Sequence, residues 1–195
     1  DSASRGLGDV YKRQIVIPLF NESDSIFELN KKINEIISNS NIDVEIIYVD
    51  DGSKDDSWKK IADISEKNQN IIGLRFLKNY GKSMALSAGF SYAKGSVVIT
   101  MDADLQDDPN EIIPLYNMVQ NEDYDLVSGW KKKRYDSVIF KNIPSKLFNW
   151  AARKSSGINL HDFNCGIKAY KKSVIKEIEL TLSLIHISEP TRRWI

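Results

Sequence analysis

Residues 96–109 read SVVITMDADLQDDP, an apolar run from Ser96 to Thr100 followed at once by carboxylates at Asp102 and Asp104. A short β-branched run bounded by turn residues is the pattern of a buried strand. Carboxylates at the end of such a strand are costly unless paired or placed on a cation. Two residues apart in extended backbone, Asp102 and Asp104 lie on one side and can address one ion. Hard oxygen ligands suit Mg2+ or Mn2+, which keep waters and phosphate oxygens as further partners. The competing reading is a solvated acidic turn, with Asp107 or Asp108 capping the helix that Pro109 opens.

Outward from this stretch the same arrangement recurs. Ile15-Val16-Ile17 reads as a strand closed by PLFNE at 18–22, and Ser25 with Glu28 has capping-box spacing ahead of Ile26, Leu29, Ile33, Ile36 and Ile37. Val44 to Val49 is a second strand, ending in the acidic turn Asp50-Asp51-Gly52-Ser53. Asp55 or Asp56 can cap a helix to about Glu66, and Ile71 to Leu77 gives a third strand. Ser83 to Ala93 is a small-residue helix in which Gly89 implies close packing on the sheet. Ile112, Ile113, Leu115, Met118 and Val119 supply the face of the next helix, and Tyr124 to Ser128 is a fifth strand. Alternation of this kind predicts an α/β, Rossmann-like single domain: a mostly parallel central sheet with helices on both faces. Open sheets of that type bind ligands beyond the carboxyl ends of their strands, where the acidic turns fall.

The two ends read differently from the middle. Residues 4–14 (SRGLGDVYKRQ) can be encoded by a DNA whose opposite strand encodes LSLIHISEPTR, the sequence of residues 182–192. Residues 1–14 and 182–195 are therefore expected to be non-native tails resembling a sequencing adapter, around a domain at 15–181 truncated at both ends. The whole chain carries 27 basic and 27 acidic residues; without the tails the balance is 22 to 24. Neither balance suggests a nucleic-acid partner. Cys165 is the only cysteine, which excludes an intrachain disulfide framework and fits a reducing compartment. Setting His186 aside leaves His161, so a His-rich metal site is not expected, and His161, Asp162 and Cys165 read as packing and turn residues. No apolar run reaches the roughly 18 residues of a membrane span.

Several residues carry two readings. Asp50 and Asp51 can accept hydrogen bonds from a ribose or a base edge, or form a plain Asx turn. Lys82 follows a glycine at a helix start, where amides and an ammonium can meet a phosphate. No GxxxxGK[ST] loop surrounds it, which disfavours a P-loop nucleotidase. The cluster Lys131, Lys132, Lys133, Arg134 is either a solvated loop or a phosphate site on the acidic rim. Pro144 to Ser155 reads as a helix with Leu147, Phe148, Trp150 and Ala151 on one face. That face packs in the core or, with Lys141, Lys146, Arg153 and Lys154 around it, meets a membrane.

Taken in order, PLFNE (18–22), VDDGS (49–53), NYGKSMALSAG (79–89), DADLQDDP (102–109), VSGWKKKR (127–134), PSKLFNW (144–150) and HDFNCGIKAYKK (161–172) form a specific set. The set resembles the family 2 glycosyltransferases of the GT-A fold, and among them the polyprenyl-phosphate sugar transferases related to dolichyl-phosphate mannose synthase. The resemblance implies inverting, Mg2+- or Mn2+-dependent transfer of a hexose from a UDP- or GDP-sugar to a polyprenyl phosphate. It implies work at the cytoplasmic face of a membrane, without nucleic acid. By the same resemblance, Pro18, Phe20, Glu22, Asp50, Asp51, Lys82, Asp102 and Ala103 fall at nucleotide-sugar positions, and Asp102, Asp104 and Gln106 surround the metal. Lys131, Arg134, Lys168 and Lys171 fall at phosphate or acceptor positions, while Asp104 and Asp162 are the catalytic candidates. Ile167-Lys168 departs from the family's common Phe-Arg, and lysine lacks the bidentate fork of arginine. Two alternatives stay open: a sugar-hydroxyl acceptor, for which Asp162 or Asp104 would be the base, and a nucleotide-sugar-binding module without turnover.

Overall fold

In the computed structural model the apolar runs become the strands of one sheet; it describes residues 13–40, 43–122, 124–129 and 165–177. The elements are β1 (Arg13–Leu19), α1 (Ser23–Ser40), β2 (Val44–Asp50), α2 (Ser57–Lys67), β3 (Ile71–Arg75), α3 (Lys82–Tyr92), β4 (Val97–Thr100), α4 (Ile112–Asn121), β5 (Leu126–Ser128) and β6 (Lys168–Lys171). Strand order is β3-β2-β1-β4-β6-β5. The first four strands run parallel, and β6 lies antiparallel between β4 and β5. This is the expected mostly parallel α/β sheet.

Burial on both faces explains why the strands read as continuous apolar runs rather than alternating ones. Ile15, Ile17 and Leu19 of β1 point to a core shared with Ile26, Leu29 and Ile33 of α1, Ile61 and Ile64 of α2, and Leu115 and Val119 of α4. Their neighbour Val16 points the other way, into a second core with Ala85, Phe90 and Ile175. Helix α3 lies so close to that face that a Cβ on Gly89 would fall 2.3 Å from Val16 Cγ1. Gly89→Ala therefore overpacks a stiff β-branched side chain, at a cost of about 1–3 kcal/mol. A drop in Tm of about 5 °C by calorimetry is expected; an unchanged Tm would show that α3 has room to move away.

Three local details add to this picture. Strand β1 starts at Arg13, inside the segment read as a tail, and the Gln14 side-chain oxygen accepts the amides of Lys94 (2.7 Å) and Gly95 (2.6 Å). Helix α1 begins at Ser23, and Ser25 Oγ donates to the Glu22 carbonyl at 3.0 Å instead of forming a box with Glu28. Strand β6, inside HDFNCGIKAYKK, was not anticipated. Four residues with a lysine at each end carry little strand signal, and only pairing on both sides with β4 and β5 makes KAYK a strand. Just beyond it, Lys172 Nζ donates to the Ala93 carbonyl at 2.5 Å, a cation at the carboxyl end of α3 where the helix dipole favours one.

Candidate functional site

The carboxyl ends of β1, β2 and β4 open onto a cleft of about 360 Å3. Its first wall is built by two turns that lock together. Asn21 takes a left-handed conformation (φ 55°), which asparagine tolerates better than most residues. Its side-chain oxygen accepts the Lys54 amide at 2.9 Å, and its own amide donates to Ser53 Oγ at 2.8 Å. The Glu22 amide donates to Ser57 Oγ at 2.9 Å. The motifs PLFNE and DDGS are thus one unit, which fixes Pro18, Phe20 and Glu22 along the cleft.

The neighbouring aspartates divide their work. Asp50 is fully buried: Oδ1 accepts the Ser53 amide at 2.9 Å, and Oδ2 lies 3.4 Å from Arg75 Nε. Its carboxylate is engaged in an Asx turn and an ion pair, and it does not line the cleft. Asp51 does line the cleft, yet its oxygens accept the amides of Tyr80 (2.7 Å) and Gly81 (2.8 Å). These charge-assisted bonds hold the loop before α3. That loop delivers Lys82, whose Nζ sits 2.5 Å from Asp102 Oδ1.

On the opposite wall Asp102, Ala103 and Asp104 follow β4 directly. Asp104 is exposed, and its Oδ1 accepts the Gln106 amide at 3.1 Å. Leu105 then turns left-handed (φ 62°), an uncommon conformation for a non-glycine residue, and packs its side chain against the core. That reversal carries Gln106 away. Its side chain lines a separate pocket with Ile36 and Pro109, while its amide stays on the Asp104 carboxylate. Asp108, not Asp107, caps the following turn by accepting the Asn110 amide at 3.0 Å. Asp107 is instead buried beneath Asp102, a role that the local capping pattern concealed.

The cations expected from the C-terminal motif separate along β6. Lys168 pairs with Thr100, at the cleft end of β4. Lys171 pairs with Val97 at the far end, about 10 Å away by strand rise, and its Nζ lies 3.6 Å from Asp125. Lys131, Arg134 and Asp162, together with the helix expected at 144–155, lie outside the described residues. Cys165 is buried in the core, as its packing role requires. Asn79 and Ala85 line the cleft without having been singled out; both stand within NYGKSMALSAG, whose place beside Lys82 was the available signal.

The cleft is electronegative. Burial, followed by the charge of Asp104, raises the Glu22 carboxyl above its ordinary range, and Asp55 and Asp102 add to the effect against a hydrogen bond from Ser25. Like charges gathered in this way favour a cation.

The glycosyl transferase family 2 profile matches residues 14–179. The chain belongs to glycosyl transferase family 2. It is 38% identical over 162 residues to an undecaprenyl-phosphate 4-deoxy-4-formamido-L-arabinose transferase of Pseudomonas fluorescens (strain SBW25), covering 83% of this chain and 47% of the relative. It is 33% identical over 169 residues to a dodecaprenyl-phosphate galacturonate synthase of Rhizobium johnstonii, covering 85% and 49%. The chain thus spans about half the length of these curated relatives. Among solved structures it resembles a mannosyltransferase from Pyrobaculum calidifontis in complex with GDP-Man and Mn2+ (TM-score 0.63, 19% identity, 85% of this chain and 46% of that one). It also resembles glucosyl-3-phosphoglycerate synthase of Mycobacterium tuberculosis with Mn2+, UDP and phosphoglyceric acid (TM-score 0.65, 18% identity, 85% and 57%). These likenesses establish the GT-A fold of this family 2 domain.

The family 2 cleft offers a particular donor set. Among the described residues no three His, Cys, Asp or Glu side chains converge to hold a metal ion. There are two carboxylates two residues apart, one of them paired with an ammonium. Such a set fits Mg2+ or Mn2+ bound by one or two carboxylates and completed by phosphate oxygens and water. It does not suit an ion that needs a full protein cage.

Proposed function

We propose that the full-length protein transfers a sugar from a nucleotide sugar to a polyprenyl phosphate, using Mg2+ or Mn2+, at the cytoplasmic face of a membrane. The observation that carries this reading is the Lys82, Asp102 and Asp104 group in the cleft at the end of β4. It occurs in a chain whose relatives are named for undecaprenyl-phosphate and dodecaprenyl-phosphate chemistry. Asp102 and Asp104 would hold the cation, which supplies charge stabilisation for the departing nucleoside diphosphate. Lys82 adds a fixed positive charge on the same side, and Asp51 keeps it there through the loop it grips. Phe20 and Pro18 give the cleft apolar surface for the nucleoside. A phosphate monoester has a second pKa near 6 and is mostly ionised at neutral pH, so the acceptor attacks without a strong protein base. No helix among the described residues is long and apolar enough to cross a membrane.

Incubating the full-length enzyme with radiolabelled UDP- and GDP-sugars and undecaprenyl phosphate tests the reading. Label extractable with the lipid is expected. Label in glycan with none in lipid would instead favour a hydroxyl acceptor, and nucleotide-sugar binding without any product would favour a module without turnover. Chelation gives a second check. EDTA is expected to reduce transfer by at least about 100-fold, the scale of losing one charge-stabilising contact, with recovery on adding Mn2+. Full activity in EDTA would remove the metal from the account.

A further inference from the structure

Asp107 is 4% exposed, and its Oδ2 accepts the backbone amide of Asp102 at 3.3 Å. The space around these two residues is closed from the other side by Gly166, whose carbonyl accepts Thr100 Oγ1 at 3.1 Å. A Cβ at residue 166 would lie 2.5 Å from Asp102 Oδ2, 2.5 Å from Asp107 Oδ2 and 2.6 Å from Asp102 Cγ. The two carboxylates therefore converge on the bare backbone of one glycine. Asp102 is held at two points, its amide by Asp107 and its Oδ1 by Lys82, and its Oδ2 faces the space a side chain at residue 166 would fill.

We infer that Asp107 is a positioning residue that sets Asp102 for cation binding by accepting its amide. This inference rests on the metal reading of Asp102 proposed above. A buried carboxylate is costly unless hydrogen-bonded; Asp107 Oδ2 meets the Asp102 amide, while the helix cap at this turn is made by Asp108. Leu105, reversed to φ 62°, folds the chain back so that residue 107 passes under residue 102. The left-handed turn and the Asp107 bond are thus parts of one device that fixes where Asp102 points. The function needs an acceptor oxygen and the length of the side chain, both of which asparagine supplies.

The test compares the chain with Asp107→Asn and Asp107→Ala by two readouts: Mn2+ affinity by electron paramagnetic resonance, and metal-free hydrogen exchange at the Asp102 amide. Supports of a metal ligand are generally worth about 10–100-fold in metal affinity. Asp107→Ala is expected to weaken Mn2+ binding by that amount and to speed exchange at residue 102 about 10-fold or more. Asp107→Asn should stay within about 3-fold of wild type on both readouts, on the same scale of metal-ligand support. Circular dichroism confirms that each variant is folded, and the Asn variant carries the test if the Ala variant is not. Unchanged exchange at residue 102 in Asp107→Ala, or an Asn variant as impaired as the Ala variant, overturns the inference. A wild-type chain that binds no Mn2+ while exchange still responds to Asp107→Ala supports Asp107 as the prop of Asp102 and overturns the metal reading instead.

Discussion

Asp104→Asn is expected to lower turnover of the full-length enzyme by about 10²–10³-fold, the usual scale for removing one charge-stabilising group from a transition state. The fold should be indifferent. Asp104 is exposed, and its Oδ1 accepts the Gln106 amide, a bond the asparagine oxygen can repeat. The substitution therefore removes a charge and little else, and Tm should stay within about 2 °C of wild type, as for a surface change away from packing. Steady-state kinetics should place the loss in kcat and in the Mn2+ requirement together. Wild-type turnover would remove Asp104 from the metal site; a large fall in Tm would show that its role is structural.

The largest effect on stability is expected at Gly52. Its φ is 71°, and a Cβ there would lie 2.4 Å from the carbonyl carbon of Lys78, 2.7 Å from the Lys78 Cα and 2.8 Å from the Asn79 nitrogen. These are backbone atoms, so no side chain can rotate to make room. Gly52→Ala combines a left-handed strain of about 1–3 kcal/mol with overpacking of about 1–3 kcal/mol. A drop in Tm of about 10 °C follows for a domain of this size. The effect reaches the site, because the displaced loop carries Asn79 and leads to Lys82. Weaker nucleotide binding should accompany the lower Tm. A variant with both unchanged would mean that the close approach of the two loops is not maintained in solution.

Much of this arrangement was legible in the sequence, for physical reasons. Parallel strands buried on both faces leave uninterrupted apolar runs, so β1 to β4 and the rim at their carboxyl ends could be found from composition alone. Asp102 and Asp104 stood out because carboxylates do not end a buried strand without cause. Asp50 and Asp51 could not be told apart, since adjacent residues point to opposite sides and only the register with Leu19 and Arg75 decides which faces the cleft. The left-handed Leu105, beyond which the Gln106 side chain lines a separate pocket, has no sequence signature, leucine being a poor candidate for that conformation. Lys168 and Lys171 stand three residues apart in one motif, and only the antiparallel pairing of β6 shows that they lie at opposite ends of β4. Asp107 was hidden by its neighbour: either aspartate before Pro109 could cap, and only the three-dimensional path of the loop assigns the cap to Asp108.

The central claim is that the cleft at the end of β4 binds a nucleoside diphosphate through a cation held by Asp102 and Asp104. Calorimetric titration of the chain with UDP and GDP, with and without Mn2+, tests it most directly. Binding of one of the two nucleotides that strengthens about 10-fold or more with Mn2+, within the usual range of coupling between two ligands, and that loses this gain in Asp104→Asn, is the predicted result. Binding of equal strength with and without Mn2+, unchanged by Asp104→Asn, would contradict it.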